Sequence, residues 1–388
     1  MATLPPNFTL LQVVPSLETG GAEQSTLDVA AAVVRDGGRA IVASCGGRMV
    51  KLLKASGAEF VPMPVQTKNP LLGVVNAFRL AALIRREKVG VIHVRSRAPA
   101  FSALWASKMT GVPMVATYHG AYPAKSGLKR WYNSVMTKGA VVIANSAFTR
   151  DHLLAQHAVD PEKVVTIPRG LSLNRFDPAA VPSARTAELR AVWGVAEGDR
   201  RVRILLPGRL TRLKGQLVLI EAAARLYAQG RRDFLILLVG DDQGRGAYRA
   251  EVQDAIAQAG LSGAVRLLGH CDDMPAAYLA ADIVAVPSTV PETFGRTAVE
   301  AQAMGRPVIA SALGGLTETV VPGESGWLAP ARDVDAWTQA LQVALDAGSE
   351  RRAAMGQAGQ ARVRRLYALE TMTNSTLAVY ARVLQGKA

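Results

Sequence analysis

The sequence predicts an α/β protein of two successive domains, each a parallel β-sheet with helices on both faces. At 388 residues the chain is long enough to bury two hydrophobic cores. Short apolar runs alternate with helical patterns along the chain, and a Pro/Gly/Asn-rich stretch at 167–184 interrupts the alternation. With 49% apolar and 20% charged residues, the composition is that of an ordinary globular protein.

Each half of the chain carries its own series of strands. The first half contains the apolar runs TLLQVV (9–14), AIVAS (40–44), VGVIHV (89–94), PMVATY (113–118) and AVVIAN (140–145). After the break, VRILLPG, FLILLVGDD, VRLLG, ADIVAVPS and PVIAS restart the pattern. Strand–helix alternation of this kind is typical of a Rossmann-like parallel sheet. We therefore predict domains at 1–170 and 171–365, and a terminal helix at 366–388 that crosses back to the first domain.

Cysteine usage and hydropathy favour a cytoplasmic protein. Cys45 and Cys271 lie far apart and form neither a disulfide framework nor a zinc-binding spacing. The N-terminal segment has no basic region before its short apolar run, which indicates a strand rather than a signal peptide. No apolar run approaches the ~18 residues that a membrane-spanning helix needs. Peripheral attachment to the inner face of the cytoplasmic membrane stays an open alternative.

The net charge of +14 is concentrated in the first half. Residues 1–175 contain 21 Lys and Arg against 9 Asp and Glu, whereas residues 176–388 contain 24 against 22. An anionic membrane, a phosphorylated glycolipid or a nucleic acid would suit this excess, and a general Arg-rich composition explains it equally well. Since no nucleic-acid-binding motif is present, we expect no nucleic acid as a partner.

Two loops have the residues of a phosphate-binding site. Gly20 and Gly21, in PSLETGGAEQ, lie between a strand and a helix, where backbone N–H groups can approach a phosphate. An ordinary tight turn is the alternative, and the spacing is not the dinucleotide fingerprint GxGxxG. Arg209 and Lys214, in LLPGRLTRLKGQ, follow the first strand of the second half and could neutralise a diphosphate. A solvated surface pair is the alternative there.

A pair of glutamates marks the stretch VPSTVPETFGRTAVEAQAMGRPVIA (286–310). Glu292 lies in a turn and Glu300 lies eight residues later, on a helix whose start is signalled by Gly295 and Arg296. Glu300 could accept hydrogen bonds from ribose hydroxyls and Glu292 from sugar hydroxyls, with the backbone N–H groups of Phe294 and Gly295 nearby. The spacing alone could arise by chance.

Two further features have a functional and a structural interpretation. His119, in VATYHGAYP, follows a strand and could contact a donor sugar or its leaving phosphate, or it could be a buried structural histidine. The stretch AKSGLKRWYNSVMTK (124–138) could bind an anionic membrane or the acceptor, or pack its apolar stripe on the core. The residues that would contact the membrane or acceptor are Lys125, Lys129, Arg130 and Trp131.

The acidic pairs at 241–242 and 272–273 have no third ligand at a regular spacing, so no metal is predicted. No cofactor is predicted either. Asp273 is predicted to cap the helix that follows it.

Together the motifs resemble the retaining glycosyltransferases of family 4, which have the two-domain GT-B fold. The matching segments occur in the family's order: GGAE, TYHG, NSAFTRDHL, IPRGLSLNRF, GRLTRLKG, PETFGRTAVEAQAMGRPVIAS and GGLTETV. The resemblance implies two domains facing a central cleft, and metal-independent transfer with retention at the anomeric carbon. Gln24, Asp242 and Arg169 depart from the residues common in the family.

The resemblance also implies roles for individual residues. Gly21, Arg209 and Lys214 would hold the donor diphosphate, and Glu300 would bind ribose. Glu292, Phe294 and Gly295 would bind the sugar, and His119 would lie beside it. The base would rest near Leu268 and His270. Arg209 and Lys214 would stabilise the departing phosphate.

The predicted function is sugar transfer from a UDP- or GDP-sugar to a cell-envelope glycan or glycolipid, with lipopolysaccharide core as the favoured acceptor. A soluble small-molecule acceptor is the alternative. A non-catalytic nucleic-acid-binding protein is a weaker one. A nicotinamide-dependent dehydrogenase is disfavoured by the missing GxGxxG.

Overall fold

The protein forms two compact units in a computed structural model, which describes residues 4–18, 20–120, 122, 126–244 and 246–386. Unit 1 comprises Met1–Gly170 and Leu369–Ala388, and unit 2 comprises Leu171–Ala368. The first division falls inside the Pro/Gly/Asn-rich stretch. The second falls at Ala368, a few residues beyond residue 365, because the last helix begins only at Leu369.

Unit 1 is built on a seven-stranded sheet in which every pair of neighbours is parallel. Its strands are β1 (Thr9–Val13), β2 (Arg39–Ser44), β3 (Glu59–Pro62), β4 (Val91–Val94), β5 (Met114–Tyr118), β6 (Val141–Ala144) and β7 (Val164–Thr166). They lie in the order β3-β2-β1-β4-β5-β6-β7. The two edge strands, β3 and β7, were not predicted, because they are short and mostly not buried and so lack a long apolar run.

Helices cover both faces of this sheet. They are α1 (Gly21–Arg35), α2 (Val50–Ala55), α3 (Pro70–Arg86), α4 (Arg97–Thr110), α5 (Gly127–Ser134), α6 (Ala147–Gln156) and, from the end of the chain, α15 (Leu369–Leu384). Alternate residues of β1 point to opposite faces. Leu11 therefore packs in the cluster with α3 and α4, whereas Leu10 packs in the cluster with α1 and α15.

The return of the terminal helix to the first domain is confirmed. Tyr380 of α15 is fully buried, and its hydroxyl lies 2.5 Å from Nδ1 of His93 on β4. The other ring nitrogen of His93 lies 2.6 Å from Oγ1 of Thr117 on β5. His93 thus has a structural role, joining the last helix to two central strands.

Unit 2 has a six-stranded sheet, also parallel throughout, in the order β10-β9-β8-β11-β12-β13. The strands are β8 (Val202–Pro207), β9 (Phe234–Val239), β10 (Val265–Gly269), β11 (Ile283–Val286), β12 (Val308–Ser311) and β13 (Gly326–Ala329). Its helices are α7 (Ser183–Val192), α8 (Gln216–Ala228), α9 (Gly246–Gln258), α10 (Met274–Leu279), α11 (Arg296–Ala303), α12 (Leu316–Thr319), α13 (Val334–Asp346) and α14 (Gly348–Leu366). The run FLILLV is buried along its whole length, with alternate residues in the core clusters on either face.

The strand order reverses once in each sheet, between β1 and β4 in unit 1 and between β8 and β11 in unit 2. The connections on the two sides of such a reversal diverge, which opens a crevice at the carboxyl ends of the two strands. Ligands bind parallel sheets at this position. A ligand-binding site is therefore expected in the loops that follow β1, β4, β8 and β11.

Within the described ranges, no helix is both long and apolar enough to cross a membrane.

Candidate functional site

Unit 2 brings together the loops that follow β8 and β11, at the reversal of its strand order. Lys214 ends a short 3-10 turn, Arg212–Lys214, and Gly215 follows with a left-handed φ of 74°. A Cβ at position 215 would lie 1.8 Å from the carbonyl oxygen of Pro287 in the β11 loop. Only glycine therefore allows the two loops to pack this closely.

Lys214 and Glu292 form the central contact of this site. Nζ of Lys214 donates to Oε1 of Glu292 at 2.6 Å, and Oγ of Ser288 donates to the same oxygen at 2.5 Å. The two charged side chains are only 25% and 17% exposed. The sequence predicted that Lys214 and Arg209 act together on a diphosphate. The structure adds the contact of Lys214 with Glu292 and leaves the side chain of Arg209 exposed.

Two glycines hold the backbone of Glu292. Gly315 N donates to the carbonyl oxygen of Glu292 at 2.7 Å, and residues 292 and 314 form an isolated parallel bridge. A Cβ on Gly314 would lie 2.4 Å from that carbonyl oxygen. The segment GGLTETV thus positions the carboxylate, a role that sequence reasoning did not assign to it.

The helix α11 starts at Arg296, as predicted. Gly295 is its N-cap residue, with a left-handed φ of 83°. The ring of Phe294 is buried and packs edge-on against Tyr367, with ring centroids 5.4 Å apart. Phe294 can therefore offer only its backbone to a ligand.

Glu300 lies on α11 and is 9% exposed. It accepts a hydrogen bond from Arg296 Nε at 2.6 Å and another from the Tyr278 hydroxyl at 2.8 Å. Burial and the charge of Glu300 raise the pKa of Tyr278 well above its usual value, so the hydroxyl stays a donor. Sequence reasoning missed Arg296 and Tyr278 as partners of Glu300. The i,i+4 spacing of Arg296 and Glu300 on one helix was an available signal, whereas nothing in the local sequence links residue 278 to residue 300.

The residues predicted for the base lie further along the same edge of the sheet. Leu268 is half-buried on β10, and β9 separates β10 from β8. His270 is exposed and its Nε2 lies 2.9 Å from Oδ1 of Asp272. Neither residue is brought into contact with Lys214 or Glu292.

Unit 1 gathers a second set of predicted residues around the start of α1. Gly20 caps α1 and Gly21 is its first residue. A Cβ on Gly21 would lie 1.6 Å from Nη1 of Arg169, so the guanidinium rests directly on the glycine loop. Nη2 of Arg169 lies 3.3 Å from Nδ1 of His119, which follows β5. Burial, with the positive charges of Arg169 and Arg95 adding to it, lowers the pKa of His119 well below its usual value.

Arg95 is a residue that sequence reasoning missed. It follows β4, beside β1 at the reversal of strand order, and is 4% exposed. Its Nε donates to Oε1 of Gln12 at 2.9 Å, while its Nη2 is buried and has no hydrogen-bond partner in the part of the chain that is described. A basic residue directly after a buried strand was the available signal. A buried guanidinium with an unused donor is suited to binding an anion.

The predicted membrane or acceptor segment is divided by the structure. Lys129, Arg130 and Trp131 lie on the exposed side of α5, whereas Val135 and Met136 belong to the core. Lys125 lies outside the described residues. Packing on the core therefore accounts for Val135 and Met136. Binding of a membrane or an acceptor by the exposed residues stays a prediction.

The acidic pairs have other roles in unit 2. Asp273 accepts a hydrogen bond from Ala276 N at 3.2 Å and so caps the helix that follows it, as predicted. It also forms an ion pair with Arg185. Across the ranges that the structure describes, no three His, Cys, Asp or Glu side chains are grouped so as to hold a metal ion.

Comparison with known proteins identifies the family. The family profile described as "Glycosyltransferase Family 4" matches residues 19–175, and the one described as "Glycosyl transferases group 1" matches residues 188–362. A D-inositol 3-phosphate glycosyltransferase from Salinispora tropica is 33% identical over 328 residues, which are 78% of this chain and 67% of that protein. The chain belongs to the family 4 glycosyltransferases.

Solved structures agree with this assignment. A glycosyltransferase from Rickettsia africae has 33% sequence identity and a TM-score of 0.90, over 98% of this chain and 100% of that chain. HepE from Anabaena, solved in complex with UDP-glucose, has 25% identity and a TM-score of 0.80, over 97% and 99% of the two chains. The GT-B fold implied by the sequence motifs is confirmed.

The match to the curated relatives is partial. A D-inositol 3-phosphate glycosyltransferase from Jonesia denitrificans is 35% identical over 252 residues, which are 64% of this chain and 58% of that protein. The chain thus spans between about half and two thirds of the length of such relatives.

Proposed function

We propose that the protein transfers a sugar from a UDP- or GDP-sugar to an acceptor hydroxyl, with retention at the anomeric carbon and without a metal ion. The Lys214–Glu292 contact at the strand-order reversal of unit 2 carries this proposal. It combines a cation suited to phosphate with a carboxylate suited to sugar hydroxyls, at the edge of the sheet where nucleotides bind. Retention and independence from metal rest on the family resemblance.

Binding of the donor would replace the hydrogen bond between Lys214 and Glu292 with contacts to the donor. Its diphosphate would take over Lys214 from Glu292, and the freed carboxylate would accept hydrogen bonds from the sugar. Glu300 would bind ribose, with Arg296 and Tyr278 holding its carboxylate in place. HepE bound to UDP-glucose supports a uridine donor.

In the transfer step, the bond between the anomeric carbon and the phosphate oxygen breaks on the face where the acceptor oxygen bonds. The acceptor proton passes to the departing phosphate oxygen. Lys214 and Arg209 would stabilise the negative charge that develops on the phosphate, and this effect depends on charges already in position.

The acceptor best supported is a soluble polyol phosphate. The curated relatives carry the name D-inositol 3-phosphate glycosyltransferase. In unit 1, Arg95 has a buried unused donor, and Arg169 lies on the Gly20–Gly21 loop. Both are suited to a phosphate monoester. This is the alternative acceptor class of the sequence analysis rather than lipopolysaccharide core.

A glycolipid acceptor is the second candidate, because α5 exposes Trp131 beside Lys129 and Arg130. An acceptor panel distinguishes the two. Incubation with UDP-glucose and either inositol 3-phosphate, unphosphorylated inositol or a glycolipid, followed by mass spectrometry, should give product with the phosphorylated polyol above all. Product with the glycolipid alone would favour the second candidate.

Donor binding tests the reaction class itself. A nucleoside diphosphate that binds only the folded protein raises the melting temperature, by an amount set by its concentration relative to Kd. We expect UDP or GDP to do so and ADP to have less effect. NMR of the product should show the anomeric configuration of the donor. An inverted product, or no transfer from any nucleotide-sugar together with no thermal shift, would overturn the proposal.

A further inference from the structure

Unit 1 has an unusual concentration of exposed apolar side chains. Among the described residues, thirteen large hydrophobic side chains are exposed, and nine of them lie on α3, α4 and α5. These nine are Leu71, Leu72, Val74, Val75, Phe78, Trp105, Met109, Leu128 and Trp131. Leu71 and Phe78 are 77% and 62% exposed. Exposed apolar side chains are common singly, but a cluster of this size usually marks a binding surface.

The three helices form one continuous surface, here called the α3–α4–α5 face. Oγ of Ser102 on α4 donates to the carbonyl oxygen of Gly73 on α3 at 2.9 Å. The ring of Phe101 on α4 lies 5.4 Å from that of Trp131 and 5.3 Å from that of Tyr132, both on α5. The exposed side chains therefore lie on three neighbouring helices.

A cavity of about 440 Å³ opens within this face. Its apolar walls are formed by Pro70, Phe101, Leu104, Trp105, Trp131 and Tyr132. Lys68 and Lys138 also line it. Apolar walls that also include lysine side chains suit a hydrocarbon chain attached to an anionic headgroup.

The charge on the face has one sign. The helices α3, α4 and α5 contain seven Lys and Arg and no Asp or Glu. The exposed basic residues among them include Arg79, Lys108, Lys129 and Arg130. Basic residues around exposed Trp and Leu are typical of surfaces that bind anionic membranes.

Other occupants fit less well. A two-fold dimer would use the same patch on both subunits, so it would bring this basic face against itself. A nucleic acid would satisfy the charges, but its phosphates would leave Leu71, Val74 and Phe78 without apolar contacts. An anionic bilayer satisfies both the charges and the apolar side chains.

We propose that the α3–α4–α5 face docks the protein on an anionic lipid bilayer, with the cavity receiving part of a lipid chain. Sequence analysis had indicated only the α5 segment, and the structure adds α3, α4 and the cavity. The proposal goes beyond the transfer reaction, and its test is independent of sugar transfer.

Vesicle binding tests the proposal. The full chain should sediment with vesicles that contain phosphatidylglycerol and bind phosphatidylcholine vesicles at least about tenfold more weakly, and salt should release it. The pairs Lys129→Glu/Arg130→Glu and Leu71→Ser/Phe78→Ser should each weaken binding by about tenfold or more. The matched controls on α2, Lys51→Glu/Lys54→Glu and Leu52→Ser, should bind like the natural chain. No binding at low salt, or equal loss in the controls, would overturn it.

Tryptophan quenching tests insertion. Trp105 and Trp131 are exposed on the face, whereas Trp193 and Trp337 are buried in unit 2. Lipids with brominated acyl chains should quench the fluorescence on binding, and the variant Trp105→Phe/Trp131→Phe should bind but lose most of the quenching. Binding without quenching would mean that only electrostatic attraction holds the protein at the lipid surface, and it would overturn insertion of the apolar side chains. A dimer in solution that Leu71→Ser/Phe78→Ser abolishes would assign the face to a second copy and overturn docking.

Discussion

At the residue scale, the contact between Lys214 and Glu292 explains why this site needs both charges. Each is largely shielded from solvent, and each satisfies the other. An isolated charge in such a position would be costly. The pair therefore keeps a cation and a carboxylate in place until a donor with both phosphate and hydroxyl groups can satisfy them separately.

Replacing Lys214 by alanine should lower kcat by about 10²–10³-fold, because it removes a charge that stabilises the departing phosphate. The matched control is Arg212→Ala on the same 3-10 turn. Arg212 is exposed and pairs with Glu251 at 2.6 Å. Steady-state kinetics should show near-normal kcat for the control, and equal losses in the two variants would exclude a specific role for Lys214.

Replacing Glu292 by glutamine keeps the shape of the side chain and removes its charge. The Lys214 ammonium would then lack its carboxylate partner, and the sugar would lose a strong acceptor. We expect transfer to fall by at least about tenfold while the circular dichroism spectrum stays unchanged. Glu251→Gln is the control, and full turnover by Glu292→Gln would remove this residue from the site.

At the element scale, the start of α11 is determined by one glycine. Gly295 has a left-handed φ of 83°, and a Cβ there would lie 2.7 Å from Cδ2 of Leu316. At the other end of α11, Gly305 has a φ of 68° and open space around it. The two positions share the conformational requirement but differ in crowding.

Alanine substitutions at Gly295 and Gly305 separate the effect of a left-handed backbone from the effect of steric crowding. Gly305→Ala should destabilise the protein by about 1–2 kcal/mol, the cost of a left-handed alanine. Gly295→Ala should cost more, since Leu316 must also move, and should weaken UDP binding by shifting the helix start. Thermal melts and calorimetry with UDP measure both effects. Equal melting temperatures and equal UDP affinity would contradict this account.

The terminal helix α15 depends on a buried hydrogen bond. Tyr380→Phe would leave Nδ1 of His93 without its partner, at a cost of about 1–3 kcal/mol. The control is Tyr227→Phe, which also removes a tyrosine hydroxyl. It keeps the aromatic ring that the Arg232 guanidinium covers. Differential scanning calorimetry should show a lower melting temperature for the first variant alone. An unchanged melting temperature would mean that other contacts of α15 are sufficient.

At the scale of the whole molecule, acid sensitivity should reside in unit 1, which contains both His93 and His119. Burial lowers the pKa of both imidazoles well below 6.5. Below pH 6.5 the unfolded chain binds protons that the folded protein does not. Stability is therefore highest above that pH and falls as the pH decreases.

The expected slope is about 1.4 kcal/mol per pH unit for each histidine that stays neutral in the folded state. Unfolding measured by calorimetry between pH 8 and pH 5 should show the loss. His93→Gln, which retains a hydrogen-bonding side chain, should reduce the slope by about one proton. A stability independent of pH over this range would show that the imidazoles ionise normally in the folded protein.

The sequence by itself determined the α/β class, the two parallel sheets and the loops that follow the predicted strands. These follow from local periodicity and turn chemistry, since a buried parallel strand needs a continuous apolar run and turn residues such as glycine and proline mark the loops. The edge strands β3, β7 and β13 were not predicted, because each has at most four residues and none is buried along its whole length.

Only the tertiary structure decided which residues meet. Lys214 contacts Glu292 and Tyr278 binds Glu300, because the strand order brings together loops that are distant in sequence. The exposure of Leu71 and Phe78 depends likewise on which side of α3 packs against the sheet. Contacts between remote segments depend on topology and packing, and no local pattern records them.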